Sequence, residues 1–176
     1  MNEIFDRQKV CAAFKELGLS HVYNFTYLEN AVQIAVYGLL SKNKIRENGL
    51  KHRIFADESV QSRRANKFIK ASKGECRNLH HMVPFYFTTK TPTLYKVRAD
   101  QRNFVFHVLP IEHLIDEDVE FAFSDGNAAS GDTVVYFHQA DVTNIPVDIL
   151  SADYWGEYGK RSRNAELLIF GHVPIE

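Results

Sequence analysis

Cysteine is scarce: Cys11 and Cys76 are the only two among 176 residues, and neither stands in a CxxC or Cys/His ligand spacing. That excludes a disulfide framework and removes support for a structural zinc, so the two read as reduced thiols. An excess of positive charge is missing as well. Lys and Arg number 21 against 22 Asp and Glu, a formal net charge of −1. No global basic field exists to hold a polyanion, and any nucleic-acid contact has to come from local patches. No apolar run approaches the length of a membrane span, and the opening MNEIFDRQK carries acids where a secretion signal would be basic and then apolar. Internal repeats and low-complexity tracts are absent. GxGxxG, P-loop, GxSxG and HExxH signatures are absent too, which leaves the commonest cofactor and hydrolase chemistries without support. Eight histidines are scattered, with His80 and His81 the only adjacent pair, so no metal is expected. What remains is a soluble, cytoplasmic, single mixed domain, its 45% hydrophobic content sufficient for one core.

The most informative stretch that is present is HHMVPFYFTTKTPTLY, residues 80–95. Val83, Phe85 and Phe87 alternate with Pro84, Tyr86 and Thr88, the period of a strand with two unlike faces. Pro84 has no amide donor and argues for an edge or the start of a strand. A polar turn containing Pro92 follows, and an apolar run opening at Leu94 and Tyr95 would complete a hairpin. Two aromatic faces beside Lys90 suit a wall on which a flat ring stacks. An aromatic core strand would show the same stripe.

Around this centre the periodicities alternate. Asn2 would cap a first helix carrying Ile4, Phe5, Val10, Cys11, Phe14 and Leu17, closed by Gly18; residues 1–20 read as an N-terminal helical extension. Residues 21–27 read as a strand. Residues 29–40 return to a helical period, with Leu28, Val32, Ile34, Ala35 and Leu39 on the apolar side and Gly38 at the end. The basic run 41–52 reads as a loop, either a solvated connection or a lid carrying positive charge over a phosphate. A helix over 57–69 bears Arg63 and Arg64, with 71–77 as its exit loop. Strands follow at 103–109, 119–123, 133–137 and 165–170, with a turn cluster at SDGNAASGD and loops over 142–149 and 153–163. Helices early and strands late give an α+β class.

One acid stands apart. Glu166 opens the last strand between KRSRN and LLIF, so the backbone fixes its position while Arg161, Arg163 and Asn164 flank it. A surface ion pair with Arg163 is the plain alternative. In the Arg63–Arg64 pair, an inward-turned member would be a bidentate donor for a phosphate or a ribose edge.

In these residues the chain resembles a known family. VPFYFTTKTPTLY is similar to the hallmark segment of the DarT-type ADP-ribosyltransferases, bacterial toxins of toxin–antitoxin and phage-defence systems that move ADP-ribose from NAD to a base in single-stranded DNA. The opening VYNFTYLENAVQIAVYGLLS, the arginine helix VQSRRANK, the turn and strand FSDGNAASGDTVVYF and the closing YWGEYGKRSRNAELLIF resemble that family's segments in the same order, over about residues 21–170. The resemblance implies an ADP-ribosyltransferase-like fold, a small mixed or antiparallel split sheet with early helices packed on it. It implies NAD as co-substrate and no metal. Glu166 and Arg64 match the catalytic pair. Asn24, Phe25, Thr26, Leu40, Arg64, Tyr86 and Tyr95 match the cofactor side, and His81, Lys90, Tyr154, Trp155, Arg161 and Arg163 the acceptor side. Single-stranded DNA is the expected acceptor, with RNA as runner-up, and a neutralising antitoxin protein the expected partner. Asn24 stands where the family has a histidine, and Met82 where it commonly has a tyrosine. The chain ends six residues after Phe170, short of the tail the resemblance leads one to expect. A transferase acting on protein or a small molecule, and a non-catalytic NAD or nucleic-acid binding module, stay open.

Overall fold

The computed structural model describes residues 5–175. Its elements in chain order are α1 (Arg7–Glu16), β1 (His21–Tyr27), α2 (Ala31–Tyr37), β2 (Leu39–Leu40), α3 (Lys42–Glu47) and α4 (Glu58–Asn66). Then come β3 (Phe68–Lys70), β4 (Cys76–Asn78), β5 (Met82–Tyr86), α5 (Pro92–Lys96), β6 (Phe104–Pro110), β7 (Phe121–Ser124) and β8 (Val135–Tyr136). Helices α6 (Val147–Ser151) and α7 (Gly156–Ser162), then β9 (Glu166–Phe170) and β10 (His172–Val173), close the chain. Six strands form one antiparallel sheet in the order β6-β1-β5-β9-β7-β8.

The core lies on both faces of β9. Leu167 and Ile169 belong to the main cluster with Phe85, Phe121 and Phe123, while Leu168 belongs to a smaller one with Met82, Ala122 and Ile69. A strand covered on both sides needs an unbroken apolar run rather than alternation, which is what LLIF supplies. Against the main cluster packs α1, burying Val10, Cys11 and Phe14. Asp6 caps it, accepting from the Gln8 and Lys9 amides; the expected Asn2 cap and Ile4 lie outside the described residues. Phe14 stacks on Phe87 and meets Phe123 edge-on, with ring centroids 5.4 and 5.2 Å away.

Several sequence expectations give way here. Pro84 is not on an edge: β5 lies between β1 and β9. All five of its residues pair with β9, whereas β1 meets it only at Tyr23 opposite Tyr86. The missing Pro84 amide faces the weak side, and the Asn24 side chain substitutes there, its Nδ2 donating to the Pro84 carbonyl at 2.8 Å. The sheet therefore splits beside Pro84. The run after the turn is no return strand but α5, because Thr91 caps it and Pro92 occupies the first turn, where no amide is needed.

The basic run 41–52 holds α3 rather than a loop, with the Ser41 side chain accepting from the Lys44 amide. The arginine helix stops at Asn66, its expected last residues enter β3, and the expected loop over 71–77 is the turn that joins β3 to β4 and the start of β4. Residues 142–149 and 153–163 carry α6 and α7. The helix expected over 29–40 shortens to 31–37, and its apolar period meets the core only in part: Ile34 packs against the main cluster and Leu39 belongs to it, while Leu28 and Val32 are exposed. It ends at Gly38, where φ is +73° and a Cβ would lie 2.4 Å from the Val173 carbonyl oxygen. Only glycine lets β2 reach β10 there.

Candidate active site

Three segments converge on Glu166. As the first residue of β9 it is 1% exposed, and its amide donates to Ser124 Oγ at the end of β7, at 3.2 Å. The turn after Ser124 brings the Ala128 amide to Glu166 Oε1 at 3.1 Å. From α4, Arg64 turns inward and its Nη1 lies 2.9 Å from Oε2 and 3.3 Å from Oε1. The carboxylate thus pairs with Arg64 and not with Arg163. Arg161 holds the turn in place by ion pairs to Asp125 and Asp132 at 2.9 and 3.5 Å. It lies so close over Gly126 that a Cβ there would come within 2.7 Å of its Nη1.

Arg64 and Glu166 meet in the wall of a cavity of about 540 Å³, within the range of roughly 300–1,000 Å³ that small-molecule sites occupy. A chain of hydroxyls lines its floor. Tyr86 lies beside Thr93, whose Oγ1 donates to Asn164 Oδ1 at 2.9 Å. Burial, reinforced by Glu166, raises the Tyr86 phenol above its ordinary value, which keeps it a neutral donor.

Of the residues expected at a dinucleotide, Asn24, Phe25, Thr26, Leu40, Arg64, Tyr86 and Glu166 all line this cavity. Tyr95 does not. Helix α5 gives Pro92, Thr93 and Lys96 to the cavity, while Tyr95 lies edge-on to Trp155 at 6.0 Å with Arg98 over its ring at 4.2 Å. Tyr154 is 83% exposed, and Lys90 reaches Asp153 at 3.5 Å. His81 lies apart, tilted against Phe170.

One expected phosphate contact is corrected. Arg163 is fully buried: its Nε donates to the Lys90 carbonyl at 2.9 Å, and its Nη1 to the Ile149 and Ala152 carbonyls. Its guanidinium lies 5.1 Å from the Trp155 ring centroid. A guanidinium so enclosed joins three backbone segments and does not reach a strand of phosphates. Arg161 differs: its side chain stays 31% exposed beside its ion pairs with Asp125 and Asp132.

Sequence reasoning missed Lys42, Gln61 and His80, all in the cavity wall. Lys42 was hidden in a lysine-rich run and His80 in a pair weighed only for metal. Among the described residues no group of three or more His, Cys, Asp or Glu is placed to hold a metal ion. Burial and the cations of Lys42, Arg64 and Arg46 push His80 down to about 4. Its folded value lies below the unfolded one near 6.5, so the contribution is whole above pH 6.5 and is lost as pH falls toward 4. Thermal unfolding followed between pH 7 and 4.5 should therefore show a loss of Tm that His80→Gln reduces. An unchanged pH slope in that variant would contradict the placement.

The split antiparallel sheet, with a paired carboxylate and guanidinium over a dinucleotide-sized cavity, can now be set beside known proteins. Residues 23–176 match the family described as ssDNA thymidine ADP-ribosyltransferase, DarT. The chain belongs to that family. A DNA ADP-ribosyl transferase of Mycobacterium tuberculosis is 34% identical over 108 residues, 53% of this chain and 46% of the relative. One of Thermus aquaticus is 26% identical over 163 residues, 88% of this chain and 71% of the relative. The chain thus spans about half the length of the mycobacterial relative it matches. The structure of Thermus sp. 2.9 DarT in complex with ADP-ribosylated ssDNA superposes with a TM-score of 0.79 at 20% identity, covering 89% of this chain and 78% of that one. The same DarT with NAD+ gives 0.71 at 19%, covering 89% and 77%. At such identities these structures establish the fold, ADP-ribosyltransferase-like as expected.

Proposed function

We propose that this protein is an NAD-dependent mono-ADP-ribosyltransferase that modifies a thymine base in single-stranded DNA. The observation that carries the reading is the Arg64–Glu166 pair, at 2.9 Å, in the wall of a cavity large enough for a dinucleotide. NAD suits this cavity because Arg64 Nη2 and His80 Nε2 are both buried without a hydrogen-bond partner, and groups of that kind favour a polar ligand. When bound, it supplies an ADP-ribosyl group whose bond to nicotinamide breaks with positive charge developing on the ribose. Glu166, fixed by the Ala128 amide and by Arg64, stabilises that charge and accepts the proton of the attacking base nitrogen. Arg64 keeps the carboxylate oriented and offers Nη2 to the co-substrate. The new bond joins the base nitrogen to the ribose carbon, and nicotinamide leaves as a neutral molecule. Asn24 has one amide hydrogen engaged by the Pro84 carbonyl; an asparagine can still hydrogen-bond a ribose hydroxyl but cannot carry the charge that the family's histidine could.

The acceptor reading rests on aromatics on α5 and in the segment before α7, of which Tyr95 and Tyr154 are exposed and Trp155 is half-buried. Tyr154, Trp155 and Tyr95 offer stacking surfaces, with Arg98 and Lys90 as cations for phosphate, and an unpaired strand presents its bases without the cost of unstacking a duplex. Thymine follows from the family description. Trp155→Ala should weaken transfer to oligonucleotides about tenfold or more, at roughly 1–3 kcal/mol per stacked base, with NAD affinity unchanged. Equal oligonucleotide kinetics for variant and wild type would remove Trp155 from the acceptor surface.

A DNA ADP-ribosyl glycohydrolase acting as antitoxin is the partner this reading favours, because a Thermosipho africanus relative is a DNA ADP-ribosyl transferase-DNA ADP-ribosyl glycohydrolase fusion protein. The cytoplasm, where DNA and NAD meet, is the compartment. Among the described residues no helix is long and apolar enough to cross a membrane. Incubation with labelled NAD and separate DNA, RNA and protein acceptors tests the class of substrate. Label on single-stranded DNA supports the proposal. Label on RNA or protein alone, or tight NAD binding without turnover, overturns it.

A further inference from the structure

The cavity is charged unevenly. Two carboxylates line it, and both are engaged: Asp57 with Lys96 at 3.1 Å and Glu166 with Arg64 at 2.9 Å. At the corner formed by α3, α4 and the turn before β5, Lys42, Gln61 and His80 come together with no acid. Lys42 Nζ donates to Gln61 Oε1 at 2.8 Å. Among the described residues no carboxylate comes within ion-pair distance of it. Gln61 therefore fixes the ammonium in direction without neutralising it. Lys42 is also the first residue of α3, a position where the helix dipole favours an acid, so local helix chemistry does not account for a lysine there. Beside it, His80 Nε2 and Arg64 Nη2 are buried and unpartnered, and Arg64 is 8% exposed.

We propose that Lys42, oriented by Gln61 and flanked by His80 and the free Nη2 of Arg64, is the subsite that takes the pyrophosphate of the dinucleotide. Burial and neighbouring cations push Lys42 down (Arg46 and Arg64), His52 down (Lys42) and His80 down (Lys42, Arg64 and Arg46). No carboxylate acts on any of the three to offset this. Uncompensated positive potential in a partly desolvated corner calls for an anion, and a pyrophosphate presents two charges with several acceptor oxygens. Glu166 and this corner thus act on different parts of one ligand: the carboxylate on the ribose that reacts, the ammonium on the diphosphate that anchors it.

The assignment rests on the cavity's reading as an NAD site, and the test separates the two. Calorimetric titrations of wild type, Lys42→Gln and Lys42→Arg with NAD, ADP-ribose, adenosine and inorganic pyrophosphate are the measurement. Lys42→Gln should weaken NAD and ADP-ribose at least tenfold, leave adenosine within twofold and abolish competition by pyrophosphate, while Lys42→Arg retains most of the affinity. If wild type binds NAD and Lys42→Gln binds it equally well, the corner is not the subsite and the NAD reading stands. An equal loss for adenosine also overturns the assignment, because the lysine would then act on the cavity's shape. If wild type binds pyrophosphate through Lys42 and does not bind NAD, the anion site stands and the NAD reading fails.

Discussion

Glu166→Gln is expected to reduce transfer at least a hundredfold with the fold retained. Glutamine keeps the volume of the side chain and one acceptor oxygen for Arg64 and the Ala128 amide, so the turn after β7 and the inward position of α4 have reason to persist. What disappears is the negative charge facing the reacting ribose. Removing one electrostatic contact to a developing charge costs about 10²–10³ in rate. Loss of the proton acceptor compounds it. Glutamine is preferred to alanine because truncation would strand the Arg64 guanidinium, and breaking a buried pair from one side costs about 3–5 kcal/mol in stability. Transfer and unfolding should be measured on the same preparation. Activity within tenfold of wild type, about 1.4 kcal/mol in barrier, would contradict the role given to this carboxylate.

Arg163→Met is expected to destabilise the protein by several kcal/mol, each buried carbonyl left without its donor costing roughly 1–3 kcal/mol. The carbonyls of Lys90, Ile149 and Ala152 lose their donor together, and methionine fills the space without replacing it. Because the three carbonyls belong to the loop before α5, the end of α6 and the segment before Trp155, the acceptor aromatics should loosen first. Urea unfolding is the appropriate measurement. A variant as stable as wild type that has lost DNA affinity alone would restore the phosphate contact that the sequence suggested and the structure withdraws.

Those two side chains show how far the sequence could be read. Glu166 was legible because a lone acid before LLIF has no ordinary reason to open a strand buried on both faces. Arg64 was legible only as one of two neighbours, its inward turn coming with the helix and the resemblance. Arg163 was misread because a basic cluster in a polar, aromatic run looks solvated, and nothing local reveals that distant carbonyls converge on it. Tyr95 lies off the cavity beside Trp155 because α5 is helical, a consequence of Thr91 and Pro92 at its start that strand alternation concealed. Pro84 argued for an edge, yet a central strand tolerates it here: Asn24 supplies a hydrogen bond from 60 residues away, a compensation invisible to local reading. Lys42 was legible only as one of several cations in a basic run that could cover a phosphate, and His80 only as one of a histidine pair; the uncompensated charge appears once the surrounding acids are placed.

The most direct measurement is mass spectrometry of single-stranded oligonucleotides, matched except for the presence of thymine, after incubation with NAD and the protein. One added ADP-ribosyl unit on the thymine-containing strand, release of free nicotinamide and neither product with Glu166→Gln are the predicted results. Unmodified oligonucleotides of both kinds, or modification that persists undiminished in the Glu166→Gln protein, would contradict the account.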